Sequence, residues 1–154
     1  MGLALREAVE AVAVEAGWKM AMPDESGIYH YLLEEGLDLD LTSPDGRTLI
    51  LSADLGGAPQ ASEPGVDEEW KRIGLLAAAV LKKRASILSS HGGRLELYRT
   101  VDLTRAQPHE VIVACKDFLN DQAWWRANLH SDAPVAAVSS FSFAQGWFPG
   151  QLSF

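Results

Sequence analysis

Between Leu5 and Ala16 the apolar positions Leu5, Ala8, Val9, Val12 and Ala16 return every three or four residues, with Glu7 and Glu10 off that stripe. The spacing predicts an amphipathic helix that Gly17 is placed to end. The period then shortens to two. Leu37, Leu39 and Leu41 alternate with Asp38 and Asp40, SPDG at 43–46 supplies a tight turn, and Leu49, Leu51, Ala53 and Leu55 share one face of the next stretch. With GIYHYLL before Glu34 as the partner strand, this predicts three consecutive antiparallel strands. GGAPQASEPG at 56–65 is a turn-forming loop leading to a second helix. Asp67 is its expected cap, Glu68 and Glu69 lie at its positive end, and Lys82, Lys83 and Arg84 at its negative end. IGLLAAAVL, Ile73 to Leu81, is apolar around the whole circumference, so one face can lie on a sheet while another still needs cover. ASILSS and RLELYRTVDL, joined by a turn at HGG, predict two more strands. Pro108 suits the first turn of a third helix, in which Val111, Cys115, Phe118, Gln122, Trp125 and Leu129 stack on one face. The expected fold class is α+β, a single antiparallel or mixed sheet with three helices in the order α-β-β-β-α-β-β-α.

The 154 residues suit one domain, with residues 133–154 as an uncharged extension of the domain formed by 1–132. One cysteine excludes an internal disulfide and fits a reducing compartment, the cytoplasm. The first residues carry no basic leader and are interrupted by Glu7, Glu10 and Glu15, which does not predict a secretory signal. A formal charge of −8 argues against nucleic acid as a partner, because phosphate binding needs clustered Lys and Arg. The segment after Asp132 is uncharged but holds Pro134, Pro149 and several Ser, Gln and Gly residues, too polar for membrane insertion.

The chain offers little for chemistry. Asp38 and Asp40 share a strand face, where alternation with Leu marks the solvated side rather than a metal or acid/base pair. His109 and Cys115 are six residues apart on a helix, about 240° around it, so they do not form a thiol–imidazole pair, and Cys115 is expected in the core. SHGGR has no accompanying nucleophile elbow, HEVIVA lacks the second histidine of a zinc helix, and no phosphate loop or dinucleotide glycine pattern is present. His30, His91, His109 and His130 are scattered. The expectation is therefore a non-enzyme with no catalytic residue, no cofactor and no metal. Trp125 follows the core stripe of the third helix and Trp124 lies toward its edge, where it could face a partner, with core packing the expected role of both.

The order of elements, together with ILSSHGGRLELYRTVDLTRAQPHEVIVACKDFLNDQAWWRANL, resembles the Tir chaperone family, the class I chaperones of bacterial type III secretion, over about residues 3–130. The resemblance implies a cytoplasmic bacterial homodimer that serves virulence. Its partner would be the N-terminal segment of a secreted effector protein, held extended and export-competent without ATP. Carried onto this chain, the dimer surface is Ile73, Gly74, Ala77, Val80 and Leu81 on the second helix. Val9, Val12, Leu49, Leu51, Leu95 and Leu97 are the candidate effector-binding groove, although the same residues would also build a core. The uncharged tail departs from the family, and its anchors Phe141, Phe143, Trp147 and Phe148 would either complete the core or lie in a peptide groove. Two other readings stay open at this level: a stand-alone protein-binding or regulatory domain with the same fold, and a small enzyme with an unrecognised site.

Overall fold

A computed structural model describes residues 2–129. The elements are α1 (Leu5–Ala16), β1 (Tyr29–Leu32), β2 (Asp38–Thr42), β3 (Thr48–Gly57), α2 (Val66–Val80), β4 (Ile87–His91), β5 (Arg94–Asp102) and α3 (Pro108–Leu129), with a single 3-10 turn at Glu34–Gly36. The α-β-β-β-α-β-β-α order is the one the periodicity predicts. All strand pairings are antiparallel, and the sheet order is β1-β2-β3-β5-β4.

Alternation decides which side of the sheet is covered. Leu39, Leu41, Leu49, Leu51, Ala53, Leu95 and Leu97 are all buried; α3 packs on β3 and β5 and α1 packs on α3, and Ala8, Val9, Val12, Val111, Cys115, Phe118 and Trp125 join the same core. Burial raises the Cys115 thiol to about 12, which makes it a small core residue with no thiolate chemistry at neutral pH. The intervening strand residues face the other way and are mostly polar, with Leu32, Ile50 and Ile87 among the exceptions.

The side-chain network that fixes the helices differs from the sequence expectation in three places. First, α2 starts from Gly65, in the left-handed region at φ 74°, and Asp67 lies within the first turn rather than capping it. Its charge still complements the helix dipole there, with Glu68 and Glu69. Second, α2 ends at Val80, so Lys82, Lys83 and Arg84 follow it in a turn instead of closing it. Arg84 is held by a longer-range partner. It donates to Asp121 Oδ1 at 2.8 Å, Ser86 Oγ donates to the other carboxylate oxygen, and the guanidinium lies 5.3 Å above the Trp124 ring. Trp124 is buried with it, in line with the core packing expected of both tryptophans.

Third, Asp38 is not simply solvated. It accepts from Gln122 Nε2 at 2.7 Å and from Arg126, which also donates to the Asp54 carbonyl at 2.9 Å. This explains a glutamine on the core stripe of α3: Gln122 is wholly buried, and its amide oxygen also takes the Asp38 N–H. At the end of α3, Arg72 of α2 donates to the carbonyls of Asn128 and Leu129, two of the acceptors a helix end leaves without intrahelical partners. Among the described residues, no helix is long and apolar enough to cross a membrane.

Candidate functional site

The chain reverses after α1 because Gly17 adopts φ 73°, where its N–H reaches the Val14 carbonyl and the Trp18 N–H reaches that of Ala13 at 2.8 Å. A left-handed residue here satisfies two otherwise open carbonyls, and glycine adopts it without a Cβ clash. The reversal lays Trp18 on Tyr31 of β1, ring centres 4.9 Å apart. The Ala21 N–H donates to Tyr31 Oη at 3.0 Å. Farther along, Asp24 accepts from the N–H groups of Ser26 and Ile28 and so closes the turn that leads into β1.

Between the returning segment and β1 lies a groove of about 430 Å³, lined by Gly17, Trp18, Lys19, Tyr31, Leu32, Leu33 and Glu34. Among the described residues β1 is an edge strand, and its main-chain groups on the side away from β2 belong to no sheet pairing there. Leu32 is 85% exposed beside that edge. An apolar slot next to an open strand edge suits an extended peptide, which can add main-chain hydrogen bonds and seat alternate side chains.

His30 clamps this region to the sheet. Its Nδ1 lies 2.6 Å from Asp40 Oδ1 and its Nε2 2.6 Å from Asp24 Oδ2. Both nitrogens donate only in the imidazolium, so Asp24 first and Asp40 second hold its pKa above the ordinary 6.5. The His30 bond in turn lowers Asp24 below 3.8. A raised imidazole pKa contributes stability fully below the unfolded value, and the contribution is lost as pH rises through the folded value. The Asp24 contribution is present above its unfolded value and is lost on acidification. His30 should therefore titrate above 6.5 by proton NMR, Asp40→Asn should lower its midpoint, and His30→Ala should lower Tm more at pH 5.5 than at pH 9. A wild-type midpoint at or below 6.5 would refute the clamp.

A second surface lies on α2. Trp70, Gly74, Ala78 and Leu81 project together, and Leu81 is 75% exposed. The five residues expected at a dimer surface divide between two faces. Gly74 and Leu81 are exposed and Ala77 is half-buried, whereas Ile73 and Val80 turn inward onto the subunit's own core. On β4, at the opposite edge of the sheet from β1, Ile87 is half exposed.

The structure brings Val9, Val12, Leu49, Leu51, Leu95 and Leu97 together, and it places them inside the core, where they present no surface. The groove residues Trp18, Tyr31, Leu32 and Leu33 are not among the site residues expected from the sequence. The available signal was a tryptophan immediately after a helix-ending glycine, and a leucine in the polar phase of YHYL. Phe141, Phe143, Trp147 and Phe148 lie outside the described residues. Among those described, no group of three or more His, Cys, Asp and Glu is placed to hold a metal ion.

Three solved structures with this architecture are complexes of two polypeptides. A chain of the ExsC–ExsE complex superposes with a TM-score of 0.62 at 16% identity, covering 86% of this chain and all of that one. A chain from the Yersinia pestis type III secretion chaperone SycH bound to a stable fragment of YscM2 gives 0.55 at 10% identity, covering 77% and 97%. The fold is that of a type III secretion chaperone. A chain of the HopA1–SchA chaperone–effector complex adds 0.57 at 13% identity, covering 78% and 91%. No family model and no curated protein matches the sequence.

Proposed function

We propose that this chain is a cytoplasmic, ATP-independent chaperone of type III secretion, a homodimer that holds the N-terminal segment of an effector protein extended for export. The observation that carries the reading is the Trp18–Tyr31 groove beside the open β1 edge, in a fold whose solved examples include chaperones in complex with other polypeptides. Strand addition at β1 supplies affinity without regard to sequence, and the apolar slot supplies the preference for particular side chains. Such binding needs no chemistry, only an unfolded segment and a surface that competes with its collapse.

The exposed face of α2 is the surface offered to a second copy. Gly74 and Ala78 lie between the larger Trp70 and Leu81, so two such helices can approach closely at the small residues and pack the large ones beyond them.

The test is co-expression with the product of each gene adjacent to its own. The expected complex protects an N-terminal segment of the partner, and β1 with residues 17–34 of this chain, from hydrogen exchange. Leu32→Asp, at an exposed position, should weaken it at least tenfold while leaving the fold intact. Protection confined to other surfaces, or a partner bound equally by Leu32→Asp, would count against the reading. A partner that is bound this way but not secreted would favour a regulatory domain instead.

A further inference from the structure

We propose that residues 133–154 of the same chain dock in the Trp18–Tyr31 groove, with Phe141 and Phe143 as anchors, and must be displaced before another polypeptide binds there. The inference rests on the reading of that groove as the peptide site and names its resident competitor.

Three observations point to this occupant. The first is placement. Arg126, in the last turn of α3, reaches Asp38 and the Asp54 carbonyl, and Asp38 is the register partner of Leu32 in the groove. Paired residues in adjacent antiparallel strands have Cα atoms about 5 Å apart, so α3 delivers the chain to the end of the sheet where the groove opens. Each further residue spans up to about 3.3 Å, and Phe141 follows Leu129 at a distance the chain can easily cover.

The second is chemistry. The chain carries −8 overall, yet no charged residue follows Asp132. Lys19 and Glu34 line the groove along with the apolar residues, and a neutral segment can lie between them without burying an unpaired charge. The third is pattern. Phe141-Ser142-Phe143 alternates with the period of a strand, which sets both rings on one side of a segment paired along β1, toward the Tyr31 and Leu33 side chains.

The full chain carrying Leu33→Cys and Phe143→Cys tests this directly, because Cys115 is buried with its thiol pushed up to about 12 and stays out of exchange. With oxidised glutathione, an intramolecular disulfide should form at least tenfold faster than in a control pairing Phe143→Cys with Val113→Cys on the exposed side of α3. A rate equal to the control, or a disulfide joining two copies, would overturn the proposal. As a second measure, full-length Phe141→Ser/Phe143→Ser protein should bind a labelled peptide of residues 138–148 at least tenfold more tightly than the wild type, and equal binding would overturn it as well. A fast disulfide with partner binding indifferent to Leu32→Asp would sink the chaperone reading and leave this one standing. Loss of partner binding in Leu32→Asp without the disulfide would do the reverse.

Discussion

Gly74→Glu is expected to give a folded monomer. A Cβ built at Gly74 meets no atom within 4 Å inside the subunit, and the position is exposed in the middle of α2. Replacing glycine there should favour the helix itself by roughly 0.5 kcal/mol or more. If α2 faces its own copy across a two-fold axis, the same substitution sets two carboxylates and their bulk at the closest approach, a cost of about 3 kcal/mol, or roughly 100-fold in the dimer Kd. Analytical ultracentrifugation should show a dimer for the wild type and a monomer with an unchanged circular dichroism spectrum for the variant. A variant that sediments as a dimer would remove α2 from the interface. Ile73→Glu could not make this distinction, because Ile73 is only 4% exposed and a carboxylate there would enter the subunit's own core.

The largest loss of stability is expected from Asp121→Ala. Asp121 and Arg84 are 5% and 13% exposed, and the carboxylate also accepts from Ser86. Removing it leaves a buried guanidinium over Trp124 without its counter-ion, which costs about 3–5 kcal/mol and should lower Tm by roughly 10 °C. Replacing both partners, as Arg84→Met with Asp121→Leu, should recover most of the loss, since two apolar side chains leave no stranded charge. Calorimetry of the pair decides the matter, and a single variant within 1 kcal/mol of the wild type would contradict the network. The consequence extends to the exposed face of α2, because this triad ties the turn after α2 and the approach to β4 onto α3.

The parts of the fold legible in the sequence are those written in local patterns. Leu37, Leu39 and Leu41 against Asp38 and Asp40 fix a face, and the following Pro-Asp-Gly fixes a turn, so the β2–β3 hairpin follows from neighbours alone. The misread features have distant partners. Arg84 looked like the end of a helix because the carboxylate that holds it is 37 positions away, and Asp38 looked solvated because Gln122 is 84 away. The groove was obscured for a related reason. Strict period-two apolarity at Leu49, Leu51, Leu95 and Leu97 marks what a sheet buries, whereas this groove is built from residues that break phase, as Leu32 does, or that a chain reversal brings together, as with Trp18 and Tyr31. No short-range rule announces that meeting.

The sheet order also sets a sequence of assembly. β1, β2 and β3 are successive hairpin neighbours, whereas β3 meets β5 across a loop containing the whole of α2 and β4. Closing a longer loop costs more chain entropy before any contact rewards it, so the three-strand meander can form early and the β3–β5 pairing follows. On an emerging polypeptide, the stretch from Gly17 to Glu34 is therefore present with its supporting strands before β5 and α3 exist. The turn after α2 acquires its Asp121 anchor only when α3 arrives, so the groove beside β1 is laid down first and the exposed face of α2 is fixed last.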